Sequence, residues 1–135
     1  MTKKRLLTVA AAVLLLAGTA VYLLHRQPLV FNGEQLKTDD RYALVFSRMN
    51  GTDTHELLLE AGDALSVTYS VTGGRVDIQI GREGEAPVYT GNDIDTAAFT
   101  VGIPAAGRYR ITVTAHNAAG SLTLQAQRQN GAQTK

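Results

Sequence analysis

The chain has 135 residues, 44% of them hydrophobic, and no cysteine, which excludes a disulfide framework, a thiolate metal site and a lipid-modified cysteine anchor. Its formal charge of +1 conceals a split. Lys3, Lys4, Arg5 and Arg26 flank an apolar segment, so nine basic residues face all twelve acidic ones in the remainder, a net charge of −3, and a weakly acidic domain without a basic run excludes nucleic acid as a partner.

Residues 1–5 form a basic tail, and Leu6 to Leu24 are nineteen residues without a charge. As a helix this segment is about 29 Å long, close to the ~30 Å hydrocarbon core of a bilayer. The preceding positive charge places Met1 in the cytoplasm and the rest of the chain outside. The expectation is a signal-anchor helix in the cell membrane, crossed once, with an extracytoplasmic domain. Gly18-Thr19-Ala20 offers the competing reading of a signal peptide cut after Ala20; "VYLL" continues the apolar run past that point. Both readings export the domain.

After a spacer over residues 25–29, the hydrophobic period becomes two and stays so over a domain spanning 30–128, followed by a tail at 129–135. Tyr42, Leu44 and Phe46 alternate with less apolar neighbours, as do Leu65, Val67, Tyr69 and Val71, then Val76, Ile78 and Ile80, then Phe99, Val101 and Ile103. Such runs suit strands with one buried and one wet face. Asn50-Gly51 and Gly73-Gly74 read as tight hairpin turns, and Asn117 to Gly120 as a longer one. These turns pair Tyr42 with Leu59, Val71 with Val76, and Ala115 with Leu122, apolar against apolar each time. Arg48 would face Asp53, and His55 would pack near Phe46. The predicted architecture is all-β: an antiparallel β-sandwich, jelly-roll-like or Greek-key, of about eight strands behind one transmembrane helix. Pro87 and Pro104 fall beside strands, where prolines are tolerated.

The stretch "FTVGIPAAGRYRITVTAHNAAGSLTL", Phe99 to Leu124, is similar to the closing strands of bacterial exported sandwiches and resembles GOLD and CUB-type domains. The likeness rests on strand alternation and on Gly107-x-Tyr109. It implies a binding or interaction module with no catalytic residue to carry over. The paired cysteines usual in CUB domains are absent.

Motifs for chemistry are sparse. His55-Glu56 begins like a zincin helix, but no second histidine follows four residues on. Asn92, Asp93 and Asp95 put three oxygen-bearing side chains in one loop. That pattern supplies part of a calcium site or closes an Asx-turn ahead of a strand. Ser121 and His116 are the one local nucleophile–base pair, and they flank the predicted third turn. Asn50-Gly51-Thr52 matches a glycosylation sequon and also reads as a turn. Tyr89, Arg108 and Arg110 are the candidate binding residues, the arginines because they share the wet face of the last hairpin. Nothing points to a cofactor or to catalysis. The expected function is a membrane-tethered, non-catalytic binding module for a protein, envelope glycan or peptide. The alternatives are a structural subunit of a larger membrane complex and, less favoured, an exported hydrolase.

Overall fold

The computed structural model describes residues 28–129. The predicted helix Leu6–Leu24, the cut after Ala20 and most of the C-terminal tail fall outside that range. Within it the chain is all-β and antiparallel, with six strands. They are β1 (Val30–Lys37), β2 (Arg41–Leu59), β3 (Ala64–Arg82), β4 (Tyr89–Gly91), β5 (Thr96–Gly102) and β6 (Gly107–Gln127). β6 lies between β2 and β3, and β1 flanks the first half of β2. The far edge of β3 is covered by β5 along its first half and by β4 near its end.

There are six strands rather than eight because the three predicted hairpins are each one long strand. Tyr42 stands opposite Leu124, not Leu59. Val71 stands opposite Gly120, not Val76, and Ala115 stands opposite Val76, not Leu122. Asn50-Gly51, Gly73-Gly74 and Asn117–Gly120 are bulges aligned across the sheet. The register shifts between Phe46 and Gly51 on β2 and between Val71 and Arg75 on β3. A bulge inserts a residue and bends its strand, so three in line crease the sheet. Gly74 holds φ at 72°, and a Cβ there would lie 2.6 Å from Ala118 Cα. At Gly120 a Cβ would lie 2.9 Å from Val71 Cα. The Asn117 amide, at φ 46°, donates to Asn50 Oδ1 at 3.0 Å.

The crease doubles the sheet over. A straight β6 would be about 70 Å long. Yet Leu59, paired at the Gly107 end of β6, is joined to Ala64, paired at the Gln127 end, by residues 60–63 alone. The two ends of β6 therefore lie together. Residues 103–106 make a second short crossing, from β5 beside Ala64 to the start of β6. The result is a two-layered sandwich whose layers share β2, β3 and β6.

Its core is the inner face of the crease. Tyr42, Leu44, Leu65, Val67 and Leu124 from one layer pack with Leu59, Ile80, Ile111 and Val113 from the other, all at 0% exposure. Burying each such aliphatic side chain contributes about 1.5–3 kcal/mol. Each long strand switches the parity of its buried residues at the bulge: 42, 44 and 46 give way to 57 and 59 on β2, and 65, 67 and 69 to 76, 78 and 80 on β3. One inserted residue causes this while the same face stays inward.

The layers are clasped where the chain crosses between them. Asp63 is buried and accepts from the amides of Glu60 at 2.9 Å and Gln129 at 3.0 Å. Arg128 donates to Leu58 O at 2.6 Å, Asp40 Oδ1 at 2.6 Å and Asp63 Oδ2 at 3.4 Å. Burial alone would raise the Asp63 carboxyl, but those amides and the guanidinium together hold it below the usual range.

Candidate functional site

The outer face of the layer built from the second half of β2, the second half of β3 and the first half of β6 carries a groove of about 360 Å³. Strand pairing assembles it. Glu56 of β2 stands directly opposite Arg110 of β6, which stands opposite Gly81 of β3. Gly81 has no side chain, and a Cβ there would lie 3.0 Å from Pro87 Cα. Gln79 and Thr112 continue the floor, and the turn Glu83–Glu85 forms the far wall.

The groove is an arrangement of ion pairs. Arg110 donates to Glu56 Oε2 from Nε at 3.2 Å and from Nη2 at 2.9 Å. Arg108 approaches Glu56 Oε1 at 3.6 Å. On the opposite wall, Arg82 donates to Glu85 Oε1 at 2.9 Å and to Ala106 O at 3.1 Å. The Arg82 guanidinium also lies over the buried Tyr109 ring, 5.9 Å from its centroid. Three arginines and three glutamates therefore line it, with no net charge. Glu56, Arg110 and Arg108 keep 34%, 53% and 67% of their side-chain surface exposed. Exposed pairs of this kind contribute only about 0–1 kcal/mol, so a partner's charged groups can replace them at little cost.

Of the residues singled out from sequence, Arg108 and Arg110 come together here. Tyr89 does not join them. Its ring packs on Phe99, centroids 4.9 Å apart, and its hydroxyl shares a hydrogen bond with Tyr69 at 3.0 Å. Burial, and then that bond, push its phenol up to about 12. All seven described Tyr and Phe rings are buried or packed against the core.

Asn92, Asp93 and Asp95 lie on the connection from β4 to β5, stitched to the crease of β3. The amide of Asp93, at φ 54°, donates to Asp77 Oδ1 at 2.7 Å, and the amide of Val71 to Asp95 O at 2.8 Å. The Asp93 amide, with help from Arg75, holds the Asp77 carboxyl below its ordinary range against some desolvation. Among the described residues no group of three His, Asp or Glu side chains converges as a metal site would require.

The remaining candidates are dispersed. His55 is in mid-strand and packs on Tyr42, centroids 5.3 Å apart, rather than near Phe46. Its Nε2 lies 2.7 Å from Thr38 O. Asp53 receives the Tyr42 hydroxyl at 2.5 Å and Lys37 Nζ at 3.1 Å, whereas Arg48 reaches Asn117 Oδ1 at 3.4 Å. Burial, then Asp53, push the Tyr42 phenol far up. His116 and Ser121 do not flank a turn: β6 runs through both, His116 facing Arg75 and Ser121 facing Ser70.

Sequence reasoning named Glu56 only in an incomplete zincin motif and missed its place as the residue that gathers both arginines. It lies 54 positions from Arg110, and only the true β2–β6 pairing brings them together.

No known family pattern matches the chain, and no curated protein matches it. Solved structures that resemble it include a periplasmic inhibitor of g-type lysozyme from Aeromonas hydrophila, at 18% identity and TM-score 0.41, covering 72% of this chain and 88% of that one. A carbohydrate-binding module of Cellvibrio mixtus lichenase 5A, in complex with cellotriose, has 12% identity and TM-score 0.41, over 76% and 91%. The pre-peptidase C-terminal domain of Bacillus anthracis collagenase has 16% identity and TM-score 0.41, over 76% and 100%. Likenesses this distant carry no ligand and no activity to this chain.

Proposed function

We propose that the protein is a non-catalytic interaction module held at the outer face of a cytoplasmic membrane by residues 6–24, with the Glu56–Arg108–Arg110 groove as its contact surface for a partner protein. The observation that carries the reading is the groove itself. It is a charge-balanced surface of exchangeable ion pairs on the outer face of the sheet, suited to a partner that presents both signs of charge. A glycan is less suited. An aromatic ring free to stack on the apolar face of a sugar is lacking among the described residues, because every described Tyr and Phe ring is buried or packed against the core. The tether is supported by the uncharged nineteen-residue run and the three basic residues before it.

One observation favours the second reading, a subunit of a larger membrane complex. β1 pairs with β2 only up to Asn50, so along Gly51–Leu59 the edge facing away from β6 has no strand partner among the described residues, and Leu58 within this segment is 62% exposed. Such an edge can accept a strand from another chain.

Photo-crosslinking in cells separates the two readings. A crosslinker at Gln79, in the groove, should capture a discrete partner, and Arg108→Glu with Arg110→Glu should abolish that adduct without lowering the melting temperature. An adduct formed only from Thr54, on the β2 edge, and indifferent to the arginines, would replace the groove reading with the edge reading. Protease added to intact spheroplasts should digest the domain; protection would refute the outward orientation.

A further inference from the structure

The chain enters the domain at the crease. Val30 is registered opposite Asn50, and Leu29 lies against Gly51, where a Cβ would sit 3.3 Å from Leu29 Cδ1. Between Leu24 and Leu29 stand only four residues, His25 to Pro28. Fully extended, that stretch reaches about 17 Å. The headgroup region on each side of the hydrocarbon is itself about 5–8 Å deep. If residues 6–24 span the bilayer, as the tether reading requires, the crease cannot stand more than about 10 Å clear of the headgroups. The opposite end of the domain, where residues 60–63 and 103–106 cross between layers, lies about 30 Å further along the half-strands.

From this placement we propose that the crease is a membrane-facing surface that rests on phospholipid headgroups and holds the charged groove out toward the partner. The crease has the side chains for it. Arg48, Arg75, His116 and Asn117 are all exposed along its crown. Among the described residues Arg48 bonds to Asn117 at 3.4 Å, and Arg75 to Asp77 at 3.3 Å. Both guanidiniums can donate to phosphate oxygens, which accept charge-assisted bonds well. Asp93 and Asp95 are exposed on the flank and carry the opposite sign, so the short tether, not a net positive field, selects this face. Thr112, in the groove floor, is five residues from Asn117 along β6, which sets the near part of the groove about 17 Å above the crease.

The chain has no cysteine, so a single introduced thiol can be labelled cleanly. Thr72 is exposed at the crease and Ala61 at the layer-crossing end. Full-length protein carrying Thr72→Cys or Ala61→Cys, labelled with an environment-sensitive fluorophore, is reconstituted into phosphatidylcholine–phosphatidylglycerol vesicles containing headgroup-nitroxide lipid. Quenching at position 72 should exceed that at position 61 at least threefold. Equal or reversed quenching in vesicle-bound protein overturns the docking while leaving the tether standing. Protein that fails to float with the vesicles overturns the tether and the docking with it.

Discussion

Two adjacent glycines at the crease separate a bulge from a hairpin. Gly74 has φ at 72°, and a Cβ on it would meet Asn117 O and lie 2.6 Å from Ala118 Cα, both backbone atoms of β6. Gly73 does not have a left-handed φ, and a Cβ on it would meet nothing within 4 Å. Gly74→Ala therefore incurs the left-handed cost, about 1–2 kcal/mol, and must also push a strand that the core holds in place. A total of about 3 kcal/mol would lower the melting temperature by about 12–24 °C in a domain of this size. Gly84→Ala gives the conformational part alone, since Gly84 has φ at 78° but no atom near its missing Cβ. It should lose about 4–8 °C, the equivalent of roughly 1 kcal/mol. Gly73→Ala should be neutral or slightly stabilising, because it only restricts the unfolded chain. Thermal melts followed by circular dichroism read all three. A two-residue type I′ hairpin would need positive φ at both Gly73 and Gly74, so comparable losses at both positions would refute the continuous strand.

Ile111→Ala should cost about 2–5 kcal/mol through a core cavity, since Ile111 is fully buried, whereas Thr112→Ala should change the melting temperature by only a few degrees; the reverse would put the strand in the wrong phase. The carboxyls of Asp63 and Asp77 are both lowered in the folded state, so their stabilisation is fully present above the unfolded value near 4 and is lost as pH falls through the lowered values. Melts between pH 7 and pH 2.5 should decline mainly below about pH 4, and Asp63→Asn should flatten that decline; an unchanged acid profile would contradict the clasp. Calcium should not raise the melting temperature, because the Asp77 carboxylate beside the Asn92–Asp95 loop is occupied by the Asp93 amide and by Arg75. A rise abolished by Asp93→Ala or Asp95→Ala would put an ion there.

The inward residues were legible from alternation, and the connectivity was not, for one physical reason. A two-residue turn and a one-residue bulge both reverse the parity of a period-two pattern. Tyr42 and Leu59 therefore face the same core whether β2 turns back on itself or creases and continues. Asn-Gly and Gly-Gly suit either, since both supply the positive φ that turns and bulges require. The choice is made by β6, whose 21 residues pair along the full length of β2 and β3, and local sequence carries no trace of a partner strand 54 positions away. The same holds at the groove. Arg108 and Arg110 were legible as a wet face, while Glu56 on one side and Arg82 on the other are brought to them only through that pairing. Tyr89 was misplaced because a two-sided strand pattern around it was too short to show which way its ring points.

The groove, the crease and the membrane-facing end all depend on β2 and β6 pairing beyond the bulge, and one oxidation experiment tests that pairing directly. Thr54 stands opposite Thr112, where Cα atoms about 4.5–5.5 Å apart fall within the range a disulfide spans. The double variant Thr54→Cys with Thr112→Cys should close an intramolecular disulfide under mild oxidation, seen by mass spectrometry, with the β-sheet spectrum unchanged. A hairpin at Asn50-Gly51 would instead place Thr54 opposite Ser47. Closure of the Ser47→Cys, Thr54→Cys pair, with the 54–112 pair remaining reduced, would contradict the account.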